Sequence, residues 1–320
     1  MNPSRPTSRR RFLRIVGLAA LTSSAGRALP AAGVRPWTWQ GVVLGADASI
    51  QIHGLPESTS RRLTRSCFKE LRRCERIFSL YEPESAVCRL NRAGRLPDPP
   101  PELVDILKEA RAYGERTGGA FDVSVQPLWT FLRDHHAREP GAEPSPQGLR
   151  EVLDKVDYRA IRISTRLAEF ARPGMAITLN GIAQGWITDR VTDYLRREGV
   201  SSTLVNIGEY RALGGHPEQR PWQLGVSGSA GPDAPLDILP LENAALAVSG
   251  GHGHPFAEHA LAHHLVDPRT GRCRPAGRTV AVVAPTATEA DALSTACAVV
   301  DDRDARRFAT RSSVRLQIYS

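Results

Sequence analysis

Helix-period and strand-period segments follow one another along this 320-residue chain without the strict strand–helix–strand alternation that a doubly wound parallel sheet demands. That irregularity narrows the fold class to α+β. Strand patterns are read at 42–52, 160–164, 168–170 and 175–179, and again at 204–207, 210–213, 222–226, 245–248, 280–284 and 314–318. Amphipathic helices are expected over 58–77, 84–91, 101–117 and 181–198; shorter ones surround Trp129 and follow Ser145, and one opens at Asp291. The apolar stripe Leu63, Cys67, Leu71, Cys74 and Ile77 is the clearest helical face. Gly118-Gly119 marks a helix end, and the Pro/Gly stretch 228–235 reads as a surface loop between strands.

The N-terminal 33 residues have a different character. Ser8-Arg9-Arg10-Arg11-Phe12-Leu13-Arg14 precedes a short apolar run from Ile15 to Leu21 and then small residues ending in Ala31-Ala32-Gly33. A basic region, an apolar run too short to span a bilayer and a small-residue cleavage zone, in that order, predict a signal peptide over 1–33. The Arg pair before Phe-Leu gives it the twin-arginine form, so export to the periplasm is expected, with residues 34–320 as one domain. The cleavage zone holds no cysteine, which argues against a lipid anchor, and no stable membrane anchor is expected. Six of the 42 basic residues and none of the 34 acidic ones lie in 1–33, leaving 36 against 34, net +2. Nucleic-acid binding needs clustered excess positive charge and is not expected. The five cysteines include no Cys-x-x-Cys pair; they read as mostly buried apolar residues with at most one disulfide and no zinc site.

Four segments concentrate small, polar and aromatic residues at element boundaries. They are Phe78-Ser-Leu-Tyr81 running on to Asn91, Thr117-Gly-Gly-Ala-Phe-Asp122, Thr178-Leu-Asn-Gly-Ile-Ala-Gln-Gly-Trp186, and His264-Leu-Val-Asp-Pro-Arg-Thr-Gly271 with Asp291-Ala-Leu-Ser-Thr295. Asp291 and Thr295 are four apart on one helix, which puts a carboxylate and a hydroxyl on one face, donors that suit a hard cation such as Mg²⁺. The Asn180-Gly181 junction aims the positive end of a helix forward, a place that suits a phosphate. Each feature also has an ordinary reading. Gly181 could serve turn chemistry, Asp267 to Gly271 could be a capped turn, Asp291 a helix-start charge, and of His263-His264 one ring could lie in the core and the other in water.

Together these segments, with Val205-Asn-Ile-Gly208 and Asp189, resemble the ApbE-type FAD:protein FMN transferases from about Leu44-Gly45-Ala46 to the C-terminus. The resemblance implies a single T-fold-like unit. It implies Mg²⁺ held by Asp291, Thr295 and the Gly181 carbonyl, and FAD contacted by Leu44, Tyr81, Ala120, Phe121, Asp122, Thr178, Gln184 and His264. The implied reaction moves FMN from FAD onto a Thr or Ser hydroxyl of an acceptor flavoprotein, with AMP leaving. His264 and Asp122 are the titratable candidates for the base, His264 preferred. Two positions depart from the family pattern: Thr178 stands where Asp is usual and Gln184 where Lys is usual, which removes a charge facing phosphate. This variant and the twin-arginine signal together resemble the subgroup accessory to nitrous-oxide respiration, whose implied acceptor is membrane-bound. An FAD pyrophosphatase, with water replacing the hydroxyl, and a non-catalytic periplasmic flavin carrier are the alternatives.

Overall fold

The computed structural model describes residues 36–139, 141–228, 234–253, 255–256 and 262–320. The signal-peptide expectation for 1–33 and most of the 228–235 loop lie outside the described residues.

Strands β1 (Trp37–Val43) and β2 (Ala46–Ile52) form a hairpin where one strand over 42–52 is expected. Its two turn residues, Leu44 and Gly45, have φ of 48° and 79°, the pairing of a type I′ connection, and the Leu44 N–H is held by Glu75 Oε1 at 3.0 Å. Leucine in a left-handed turn is rare, so the reversal is disguised in sequence as a continuous apolar run. Helices α1 (Glu57–Phe78) and α2 (Ala86–Ala93) follow, then β3 (Arg95–Pro97) and α3 (Pro101–Arg116). Helix α2 starts two residues later than expected because Ser85 caps it, accepting from the Cys88 N–H. Helices α4 (Gln126–Arg138) and α5 (Pro146–Leu153) and strands β4 (Ile161–Ile163) and β5 (Leu167–Phe170) lead to α6 (Ala183–Arg197). The second half holds β6 (Thr203–Ile207), β7 (Tyr210–Leu213), β8 (Trp222–Val226), β9 (Asp237–Leu241), β10 (Ala245–Gly250), β11 (Thr279–Ala284), α7 (Ala287–Val299), α8 (Asp302–Ser312) and β12 (Arg315–Tyr319). Strands β3 and β9 and helix α8 have no counterpart in the sequence reading.

Seven strands form one antiparallel sheet in the order β1-β2-β6-β7-β10-β11-β12. One face takes α1, α6 and α7: Ile50, Ile52, Val205, Ile207, Val280 and Val282 pack against Leu63, Leu71, Ile187, Val191 and Leu293. Each such Leu or Ile contributes roughly 2 kcal/mol when fully buried. The other face is covered in part by the β8–β9 hairpin, through Trp222, Leu224, Val226, Leu239 and Leu241 on Leu246, Val248 and Ala281. Helices packed on one face of an antiparallel sheet are the α+β arrangement expected. Helix α7 is buried on nearly every side, which explains its small-residue sequence Ala-Leu-Ser-Thr-Ala-Cys. The five cysteines are all free. Among the described residues no helix is long and apolar enough to cross a membrane.

One expected strand is not a strand. Residues 175–179 run without a ladder because Asn91 takes both hydrogen bonds of Ile177, donating to its carbonyl at 2.8 Å and accepting its N–H at 2.7 Å. The Thr178 N–H then goes to the Val123 carbonyl at 2.8 Å. The approach to Asp267 carries only isolated bridges, since the Leu265 N–H donates to its neighbour His263 Nδ1 instead of to a partner strand.

Candidate functional site

A cavity of about 2290 Å³ opens where α6, α7 and the ends of β6 and β10 meet the loops after β1, α1 and α3. All the residues singled out from sequence line it: Leu44, Tyr81, Ala120, Phe121, Asp122, Thr178, Gly181, Gln184, His264, Asp291 and Thr295. Each loop is tied down by its own polar residues. Ser79 Oγ accepts the N–H groups of Tyr81 and Glu82, which presents the Tyr81 ring 57% exposed at the cavity edge. Past α3, Gly118 and Gly119 turn the chain with φ of 59° and 82°, and the Phe121 N–H returns to Thr117 Oγ1.

Asp122 is placed differently from a free base. Its Oδ1 accepts from the Ser124 N–H and hydroxyl at 2.7 and 2.6 Å, and its Oδ2 from the Tyr158 N–H at 2.9 Å. Burial pushes its carboxyl up while those three donors pull it down. The carboxylate therefore joins two loops at the cavity wall, and His264, half-buried, lines the same cavity. Its neighbour His263 is the core ring of the pair, with Nε2 at 2.8 Å from the Arg274 carbonyl. Asp267 behaves as the capped turn: its side chain pairs with Arg269 and its carbonyl accepts the Gly271 N–H, with Gly271 at φ 71°. His252, a second imidazole on the cavity wall, has its pKa lowered by burial and was not anticipated from sequence.

The cation-suited face depends on how closely α6 and α7 approach. Helix α6 begins at Ala183 rather than Gly181, with the Ile182 and Ala183 N–H groups both turned back to the Leu179 carbonyl. The Gly185 N–H donates to Asp291 Oδ2 at 3.0 Å. The front of α6 thus orients a carboxylate rather than standing wholly open to an anion. A Cβ on Gly185 would lie 2.3 Å from the Ala287 carbonyl oxygen, so only glycine permits this crossing. Gly181 lies against Thr295, whose Oγ1 would be 3.0 Å from a Cβ there, with the Phe121 ring at 3.3 Å. Asp291 and Thr295 share a helix face, as the spacing implied, and Gly181 lies against Thr295, as the family resemblance implied.

Asp291 does not open its helix, as expected, but sits in the second turn of α7, 3% exposed. The start of α7 is built by Thr286 and by Asp189 of α6, which accepts from the N–H groups of Ala287 and Thr288 and the Thr288 hydroxyl at 2.8, 2.8 and 2.6 Å. Arg211 pairs with Asp189 at 2.8 Å, opposing the upward push of burial on its carboxyl. Burial pushes Asp291 up to about 7, the Gly185 N–H lowers it and Asp189 raises it further. Glu209 lies beside Asp291, 8% exposed, and burial first and Asp291 second hold its carboxyl well above the usual range. Sequence reasoning stopped one residue short of it, at Gly208; the signal was an acid between two apolar strands. Gln184 packs across Gly208, whose φ of 96° and lack of Cβ make room for it. Among the described residues no three His, Cys, Asp or Glu side chains form a metal cluster. The cation-suited donors are mixed: one carboxylate, one hydroxyl and one backbone carbonyl.

The ApbE family profile matches residues 44–319. The FAD:protein FMN transferase of Treponema pallidum is 26% identical over 320 residues, covering 90% of this chain and 85% of the relative; that of Haemophilus influenzae is 28% identical over 256 residues, covering 75% and 73%. Among solved structures, the ApbE protein of Thermotoga maritima superposes with a TM-score of 0.76 at 26% identity, covering 89% of this chain and 94% of that one. The apo flavinyl transferase ApbE of Pseudomonas stutzeri gives 0.75 at 21%, covering 91% and 94%, a likeness of fold. With a family match across residues 44–319 and the same fold as a solved ApbE structure, this chain belongs to the ApbE family.

Proposed function

We propose that this chain is a flavin transferase that moves FMN from FAD onto a Thr or Ser hydroxyl of a protein acceptor, releasing AMP. The carrying observation is convergence: segments as far apart as Leu44 and Thr295 meet on one cavity, with Asp291, Thr295 and Gly181 side by side in its wall. The donor set fits Mg²⁺, which bound there would neutralise charge on the pyrophosphate during attack at the FMN-side phosphorus. Asp291, Thr295 and the Gly181 carbonyl would hold it. Tyr81 and Phe121 offer aromatic surface to the flavin, and His264 accepts the proton of the attacking hydroxyl. The twin-arginine pattern of 1–33 supports a periplasmic site of action, and the variant with Thr178 and Gln184 supports a membrane-bound respiratory flavoprotein as acceptor.

The purified protein is incubated with FAD, Mg²⁺ and an acceptor carrying Thr in an Asp-Gly-x-Ser-Gly-Ala-Thr context. Flavin fluorescence on the acceptor band with equimolar AMP is expected. FMN and AMP without labelled acceptor would instead establish the pyrophosphatase, and bound but unconsumed FAD the carrier.

A further inference from the structure

We propose that Glu209 supplies a second carboxylate to the divalent cation held at Asp291 and Thr295. The inference rests on the cation reading above and adds a residue that reading does not contain. Glu209 sits in the turn between β6 and β7, where its carbonyl accepts from the Ile207 N–H and the Thr188 hydroxyl, each at 3.2 Å. Its backbone is thus fixed between the hairpin and α6. Its side chain lines the cavity beside Asp291. The carboxylate oxygen Oε2 is buried without a hydrogen-bond partner.

An orphaned carboxylate oxygen more than nine-tenths buried is costly unless something positive or a donor meets it. Glu209 lines the same cavity as Asp291 and Thr295, and its charged neighbour is another acid, Asp291. Arg211, the nearby cation, is already shared by Asp189 and Asp193. Two buried acids facing one cavity, one holding an unused oxygen, make an oxygen-rich, negatively charged shell. A hard divalent ion relieves both, and Mg²⁺ retains waters through which a carboxylate can also be reached. The structural acids differ: Asp122 and Asp189 have both oxygens satisfied, and Glu102, which also leaves Oε2 unpartnered, carries Arg73 on its other oxygen at 2.6 Å, whereas no ion pair is found for Glu209 among the described residues.

Mn²⁺ binding is measured on the FAD-free protein by electron paramagnetic resonance and Mg²⁺ binding by calorimetry, for wild type, Glu209→Gln and Asp291→Asn. Wild type is expected to bind both ions, and Glu209→Gln to bind them at least tenfold more weakly while melting no lower than wild type in EDTA. Glu209→Gln with wild-type affinity, or with a lower melting temperature in EDTA and unchanged affinity, overturns the role of Glu209 alone. Absence of cation binding by the wild type overturns the cation reading as well. In Mn²⁺-soaked crystals of the wild type, the anomalous peak is expected at ligation distance from Glu209 Oε2 or one water away. A peak beyond reach of a single bridging water rejects the assignment without any variant.

Discussion

Asp291 is buried with one oxygen held by the Gly185 N–H, and its carboxyl is pushed up to about 7. An acid whose folded value exceeds its unfolded one binds more protons when folded, so the metal-free protein loses stability as pH rises from about 4 to about 7. In EDTA, Asp291→Asn is expected to be the more stable protein at pH 8, by on the order of 3 kcal/mol, and to lose the advantage by pH 4. Urea melts at the two pH values check this; equal melts at pH 8 would mean that burial does not disfavour the ionised carboxylate. The same argument makes cation binding tighten with rising pH through about 7, because only the carboxylate ligates. A second test concerns Gln184, packed over Gly208 on the cavity wall where the family pattern has Lys. Gln184→Lys restores a charge-assisted contact of about 2 kcal/mol, so KM for FAD should fall roughly tenfold or more with little change in kcat. An unchanged KM would show that this wall does not face the pyrophosphate.

At the scale of elements, the α6–α7 crossing does most to shape the site. A methyl on Gly185 would have to displace the first turn of α7, and with it Asp291. Gly185→Ala is expected to cost about 1–3 kcal/mol, lowering Tm by several degrees, and to reduce transferase activity disproportionately because the Gly185–Asp291 hydrogen bond opens. Thermal melts and initial rates separate the two effects; an active variant of normal Tm would contradict the crossing described. The helices that carry the site were largely legible: an i, i+4 pair and a helix-ending Gly-Gly are local signals. The errors came where long-range partners replaced local rules. Asn91 pairs with Ile177 from 86 positions away, so 175–179 has strand composition without a ladder. Asp189 caps α7 from 98 positions away, so the helix starts four residues ahead of Asp291. Leu44 turns the hairpin because Glu75 of α1 holds its N–H, which no window around Leu44 contains.

Across the whole molecule, the sheet serves as a platform, and the cavity is closed by loops that touch each other through side chain to backbone bonds rather than through the sheet ladder. Asn91, Asp122 and Ser124 each fasten one segment to a distant one, so no single segment owns the site. A ligand that spans the cavity should therefore order all of these loops together. On adding FAD and Mg²⁺, slower hydrogen exchange is expected at Leu44–Gly45, Ser79–Glu82, Ala120–Ser124, Thr178–Gly185 and the first turns of α7. Strand β9 and helix α8 do not line the cavity and should exchange as before. By mass action, ligand at about 100 times its Kd adds about 2.7 kcal/mol to global stability, but the local pattern is the sharper test because global stabilisation slows every core amide alike. Protection confined to one or two loops would mean that FAD occupies only part of the cavity, leaving Asp291 and Thr295 outside its reach. Protection at all five, abolished at the α7 end alone by Asp291→Asn, would place the phosphates against α7 and the flavin toward Tyr81.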